Sequence, residues 1–583
     1  MKLGSSSQRK SPRLVARNAA RNGAPTCGLV LFCFLFFLCT GVWAQGGRKF
    51  RISGTVVNAN TGDILRNATV TLGWSQSQDV LATTTTAEDG SFRFEGLAAG
   101  KYWMRGEASG FAAQGFDEHA GFFTGIVTGG SVDAEHLMFS LRPDAGIVGA
   151  ILDEANEPVR EAQVKLFRRE MQDGKEVTSL RAVAQSNDEG RYRFGHLAPG
   201  RYFIAVEARP WYAQNANVVE GVPDQVVDQN PNQVVSDGAV NDVEAGAATE
   251  EAKTESDRAL DVTYPLTFYP GATDENGASA IVLQSGDRAT ADVRLSPVAA
   301  AHLHVPRATA DPSDGMNVTL MRRIFGGAEE PVQSQSEQSD KGYDIGGIAP
   351  GEYVLQAQSF GKNPQSWTQP IAIGGDMEVN LEHATAMASV KGVVKIEGGG
   401  PVTRGFVTLT NRSTDERAGA RVNEKGEFEL SGQPVAPGSY EVAAATTPNG
   451  RVSRVTASGA KVTGETLEIG GAANVELTIY LQQKFATIDG TVTREGKPAA
   501  GAMVMLVPED LRNQESMVRR DQSDLDGTFT LRGVVAGKYT VVAIQKGWDL
   551  DWMSPAVMAG YLKGGETVRV VGGEKYGVKV GVQ

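Results

Sequence analysis

Cysteine is nearly missing from this chain: Cys27, Cys33 and Cys39 are the only three in 583 residues, all in or beside one N-terminal apolar segment. The remainder therefore has neither a disulfide framework nor a thiolate metal site. Histidine is scarce as well, at six, and none heads an H-x-x-E or H-E-x-x-H arrangement. His302 and His304 alternate along one predicted strand, but no carboxylate or third histidine nearby completes a metal site. The sequence has no G-x-S-x-G elbow and no Walker-type phosphate loop. Aromatics make up 7% and no long helical periodicity appears, which leaves many short strands separated by turns. Basic residues are outnumbered, 56 against 69 acidic, for a net charge of −13. An acidic surface repels a phosphate backbone, so no nucleic-acid partner is expected. These absences point to a non-enzymatic protein with no catalytic residue, metal or cofactor.

Glycine, by contrast, is abundant at 69 residues, and much of it is periodic. Five near-copies of one stretch start at Asp89, Glu189, Lys341, Lys425 and Asp526. Each reads as a turn, a strand, a second turn and a second strand, closing on a Gly-x-Tyr: Gly100 and Tyr102, Gly200 and Tyr202, Gly351 and Tyr353, Gly438 and Tyr440, Gly537 and Tyr539. Acidic-Gly pairs suit a tight hairpin, and the Pro-Gly or Ala-Gly pair predicts a type II turn with its glycine at positive φ. Phe92 and Phe94, like Tyr192 and Phe194, are two apart and share a strand face.

The wider repeat adds a first strand, usually with an internal Gly (Gly54, Gly149, Gly392, Gly490), a second strand a dozen or so residues later, and a closing strand after the hairpin. Apolar alternation predicts one buried and one wet face per sheet, as in a two-sheet sandwich. The expected fold is all-β: about five seven-stranded antiparallel β-sandwich modules in tandem, at 45–143, 144–299, 300–385, 386–484 and 485–583. The third, whose first strand has lost its Gly, is the most degenerate. Residues 213–261, with eleven acids against Lys253 and Arg258, read as a disordered insertion in module two.

Residues 1–44 read as a signal peptide: a basic start, an apolar run from Gly28 to Trp43, and Val42 and Ala44 at the −3 and −1 positions. An uncleaved anchor is the alternative, since the run falls a few residues short of the roughly 20 a spanning helix needs. Cleavage predicts a secreted, periplasmic or cell-surface protein with no further membrane span.

The Gly-containing first strand, the D-G-x-F…P-G-x-Y element and the closing strand together resemble the carboxypeptidase regulatory-like domain and, less closely, Cna B-type repeats. The Tyr264–Thr273 segment is similar to one found in bacterial secreted proteins that string such domains together. The resemblance covers most of 50–583. It implies a transthyretin-like or prealbumin-like sandwich, grouped with carbohydrate-binding-like folds, and little about activity. Cna B-type repeats often carry a Lys–Asn isopeptide. Here only Lys391 and Lys395 stand on a first strand, and the closing strand of that module offers no amide, so none is expected. Asp521, Asp524 and Asp526 cluster without the spacing of a calcium loop, and a turn-capping role accounts for Asp526.

The candidate binding residues are aromatic. Trp548 and Trp552, flanked by Asp549 and Asp551, would present ring faces to a sugar and carboxylates to its hydroxyls; Trp211 and Tyr212 occupy the same place in module two, and Phe111 and Phe116 in module one. Capping of a sandwich end and contact with a neighbouring module are the competing roles for such large apolar groups. The functional expectation is an extracytoplasmic binding or spacer protein with a glycan or envelope-protein partner. A purely structural stalk, or an accessory subunit of a separately encoded enzyme or envelope complex, are the alternatives.

Overall fold

The computed structural model describes residues 49–214 and 259–583 apart from short loop stretches, the longest at 308–314. The expected signal segment and nearly all of the acidic insertion lie outside the described residues. The protein is all-β, a tandem series of two-sheet sandwiches. In the first, Phe50–Asn58 lies between hairpin strand Ser91–Leu97 and closing strand Leu137–Leu141. The facing sheet begins at the outer strand Val80–Thr85 and continues through Thr69–Trp74 and Gly100–Glu107. Alternate residues point inward, so Ile52, Val56, Val70, Leu72, Phe92, Phe94, Tyr102 and Phe139 form one core. Four further clusters of this kind fill the later repeats. Across the insertion, Ala205 pairs with Phe268 and Tyr202 with Ile281, so chain from both sides of it joins one sheet.

Every module departs from purely antiparallel pairing: the closing strand runs parallel to the first strand, in two short ladders in module two. That approach explains the first-strand glycine. A Cβ on Gly54 would lie 2.1 Å from the Leu137 carbonyl oxygen, and one on Gly149 2.0 Å from that of Ala291. Both glycines pair with the hairpin aromatic, Gly54 with Phe92 and Gly149 with Tyr192. In module three the residue opposite the aromatic Tyr343 is Val305, and there the parallel ladder is confined to Leu303–Met377 and His304–Glu378.

The second turn differs from the expectation. Gly100 has an extended φ of 158°, and the left-handed residue is Gly96, at 73°, four positions earlier. His196, Gly347 and Gly533 take the equivalent place with φ of 55°, 73° and 66°. Each coincides with a register shift against the first strand, so the repeat carries a β-bulge rather than a glycine-cornered type II turn. The tyrosine then locks the bend. Tyr102, Tyr202, Tyr353, Tyr440 and Tyr539 each donate a hydroxyl hydrogen bond to the carbonyl four residues upstream, at 2.7–2.8 Å.

A second correction concerns the wet face. In modules two and five the sheet carrying the Tyr strand is covered on both sides. Met503, Met505, Val507, Val542 and Ile544 form an outer layer beneath the short helix Pro555–Lys563, Trp548, Trp552 and Met553. On module two, Phe167, Phe203 and Phe268 take in Ile324 and Phe325 from the tip of a module-three hairpin.

Candidate functional site

Among the described residues, two of the places where side chains of different modules meet bear on a candidate site. The first contains the predicted platform. A left-handed Lys546 (φ 53°) turns the chain out of strand Gly537–Ile544 into one turn of 3-10 helix, Gly547–Asp549. That turn drives Trp548 back onto the outer sheet face. Its indole stacks on Phe122, with centroids 5.2 Å apart, and on His119 at 5.9 Å, both from module one. Trp552 lies on Gly174, the tip of a module-two hairpin, where a Cβ would come within 2.3 Å of the ring. Met553 N–H donates to the Gly174 carbonyl at 3.1 Å. Arg520 sits 5.2 Å from the Trp552 ring and 5.5 Å from that of Phe122, and also bonds Asp173 at 2.8 Å.

Exposure of Trp548 is 9% and of Trp552 3%. The faces a sugar would use are occupied by protein, and only Asp549 and Asp551 remain exposed. The aromatic pair is thus an inter-module junction. Around it, Asp524 pairs with Lys101 and accepts from Gly125 N–H at 2.9 Å. Gln522 donates to the Asp117 carbonyl at 2.6 Å and to Thr124 Oγ1 at 2.7 Å. Lys175 meets Glu515 at 3.0 Å. Burial raises the carboxyls on this side of module five: Asp524 is pushed above its ordinary range despite Lys101, and Asp521 up to about 6. Asp521 and Asp524 are junction and turn groups, and among the described residues no trio of His, Cys, Asp or Glu is grouped so as to hold a metal. His302 instead bonds Asp261 at 2.8 Å and His304 bonds Asp344 at 2.7 Å.

Trp211 and Tyr212 are elsewhere. Trp211 is 83% exposed. Tyr212 donates to Glu154, whose other oxygen accepts from Tyr264 at 3.0 Å. Phe116 is in the core of module one, edge-on to Phe139, and Phe111 packs against that core.

The second place is a cleft of about 390 Å³ between modules two and three, floored by the Tyr264–Phe268 segment and rimmed by Arg209, Arg323, Gln333 and Glu352. Glu207 and Arg322 of its lining belong to an ion network that continues behind it: Lys165 bonds Glu207 at 2.8 Å and Glu330 at 2.9 Å, and Arg322 bonds the same two acids at 2.8 and 2.9 Å. Burial pushes the Glu207 carboxyl up, but Arg322 and Lys165 outweigh it and hold the group below the usual range. Arg209, Gln333 and Glu352 are exposed to the cleft and hydrogen-bond through their side chains to no other described residue. Sequence reading missed this cleft because its walls come from two modules; the Tyr264–Thr273 segment was the one legible clue.

No curated protein matches the chain. Among solved structures, a streptococcal ancillary pilin is similar at 11% identity, covering 49% of this chain and 98% of its own, with a TM-score of 0.18. A Bacillus anthracis TIE protein gives 13% identity, 73% and 69% coverage, and 0.14. A minor pilin from Streptococcus agalactiae gives 13%, 33% and 94%, and 0.17. Two stretches, residues 51–120 and 146–232, match the carboxypeptidase regulatory-like domain, so the chain carries tandem segments of that kind.

Proposed function

We propose that this chain is a non-catalytic binding protein of the cell exterior or envelope, in which modules 45–143, 144–299, 300–385, 386–484 and 485–583 brace one another and a carbohydrate is taken in the cleft between the second and third. The observation that carries this reading is the cleft's composition. Its volume falls in the range of about 300–1,000 Å³ used by small-molecule sites. Acidic Glu207, Asp274, Glu275 and Glu352 stand against Arg209, Arg322 and Arg323, so no single sign of charge selects an ion. Side chains with both donors and acceptors line it beside Tyr264 and Tyr353, which suits a neutral, polyhydroxylated ligand. Contacts between modules five and one support a braced body over an extended stalk, in which those two modules would lie apart.

Affinity gels and calorimetry with a panel of oligosaccharides test this. Binding should weaken about tenfold in Arg209→Ala and in Glu352→Ala, the loss of one charged hydrogen bond. Loss of binding in Trp211→Ala with both cleft variants unaffected would move the site to that exposed indole. Retention of no oligosaccharide at all would sink the carbohydrate reading.

A further inference from the structure

The outer face of the Tyr-strand sheet is covered in module five and open in module four. In module five it carries Met503 opposite Ile544 and Met505 opposite Val542, all buried beneath the short helix and the two tryptophans. The same rows of module four hold Phe406 opposite Ala445 and Thr408 opposite Ala443. Phe406 is 45% exposed, and Ala443 and Ala445 are exposed beside it. One aromatic ring among alanines and threonines offers too little apolar area for a dry seal of the module-five kind.

The Phe406 ring has a seat of its own. It lies over Gly419, where an added Cβ would come within 2.5 Å of it. Arg421 stands directly opposite Phe406 on the neighbouring strand, and Arg404 precedes it by two residues on the same face. Both arginines are exposed, and among the described residues neither makes an ion pair or a side-chain hydrogen bond. Glu427 and Glu429 share the neighbouring groove with Arg421, and neither bonds it. Arg404, Phe406, Arg421 and Ala445 together line an open hollow of about 640 Å³.

We propose that this hollow binds a sugar ring bearing a carboxylate, at a site separate from the cleft between modules two and three. The open side of the Phe406 ring takes the apolar face of the sugar. Arg404 and Arg421 take its anion, because a guanidinium fork matches a carboxylate in two parallel hydrogen bonds. A protein partner suits the face less well. A dry interface would desolvate both arginines over little apolar area, whereas a sugar leaves them partly in water. An extended acidic peptide docks by adding to a free strand edge, but Arg404–Asn411 is already paired on both sides. The net charge of −13 repels long polyanions, so the fitting ligand is a short acidic oligosaccharide.

The test is calorimetric titration of the full chain with trigalacturonate. Its methyl ester keeps the rings and removes the charge; triglutamate keeps the charge and removes the rings. The expected result is binding of trigalacturonate alone. Phe406→Ala, Arg404→Ala and Arg421→Ala should each weaken it about tenfold, with unchanged circular dichroism, while Arg209→Ala and Glu352→Ala in the other cleft leave it unmoved. Hydrogen exchange on the unmodified chain should show ligand-dependent protection within 404–423, a readout that stands even if a variant misfolds. Failure of trigalacturonate to bind, equal binding of the ester or of triglutamate, or an affinity unmoved by Phe406→Ala overturns the proposal. Protection elsewhere, or loss of binding in Arg209→Ala instead, overturns it in favour of another site.

Discussion

Five tyrosine hydroxyls make the same bond to the backbone four residues earlier, and each ring seals its own module. The two contributions separate by substitution. Tyr539→Phe leaves the Val535 carbonyl without its donor and should cost about 1 kcal/mol. Tyr539→Ala also empties a site that is 2% exposed and should cost about 3–5 kcal/mol. Denaturant titrations of both variants check the pair; equal losses would mean that the ring contributes no packing. Asp521 supplies a pH test. Its folded form holds a proton up to about pH 6, whereas the unfolded chain releases it in the ordinary carboxylate range near 3.8. The folded state therefore binds the proton more tightly, and this group's contribution to stability falls as pH rises through that interval. Melting temperatures of wild type and Asp521→Asn, compared across the interval, should diverge in favour of the variant toward neutral pH. A constant difference would show that burial does not govern this carboxyl.

Strands and hairpins were legible in the sequence because alternation and turn glycines are local. Phe92 and Phe94 share a face and fill the first core, as their spacing implies. Gly54 was recognisable as part of the repeat, but its reason was not: only the parallel closing strand shows that the Leu137 carbonyl occupies the place of a side chain. Gly54→Ala should accordingly cost about 1–3 kcal/mol through forced displacement of that strand, read as a lower midpoint in thermal melts. A neutral outcome would mean that the parallel ladder is absent in solution. The doubly covered sheets also left a trace. Met503–Pro508 has no polar residue to mark a wet side, and all six are buried. Such a run fits a strand buried on both faces. The bulge was missed because its left-handed position is filled by His196 in module two and lies four residues before the glycine that dominates the pattern.

Taken whole, the chain returns on itself: module five touches modules one and two through Trp548, Trp552 and Asp524. Aromatic placement singled out Trp548 and Trp552 as a sugar platform, whereas both rings are buried against other modules. Their partners, Phe122 and Gly174, stand hundreds of residues away, and no periodicity links such distant positions. Trp548→Ala combined with Trp552→Ala should release this contact while leaving the sandwich cores intact. Small-angle scattering would then report a larger radius of gyration, and proteases would reach the 117–125 loop; an unchanged profile would show the remaining polar contacts to be sufficient. The loop closed by Lys101 and Asp524 spans 423 residues. At about 5–20 residues per second, a ribosome needs roughly 20–85 s to produce the second partner after the first. Throughout that interval Phe122 lacks the cover that Trp548 and Arg520 give it in the finished molecule.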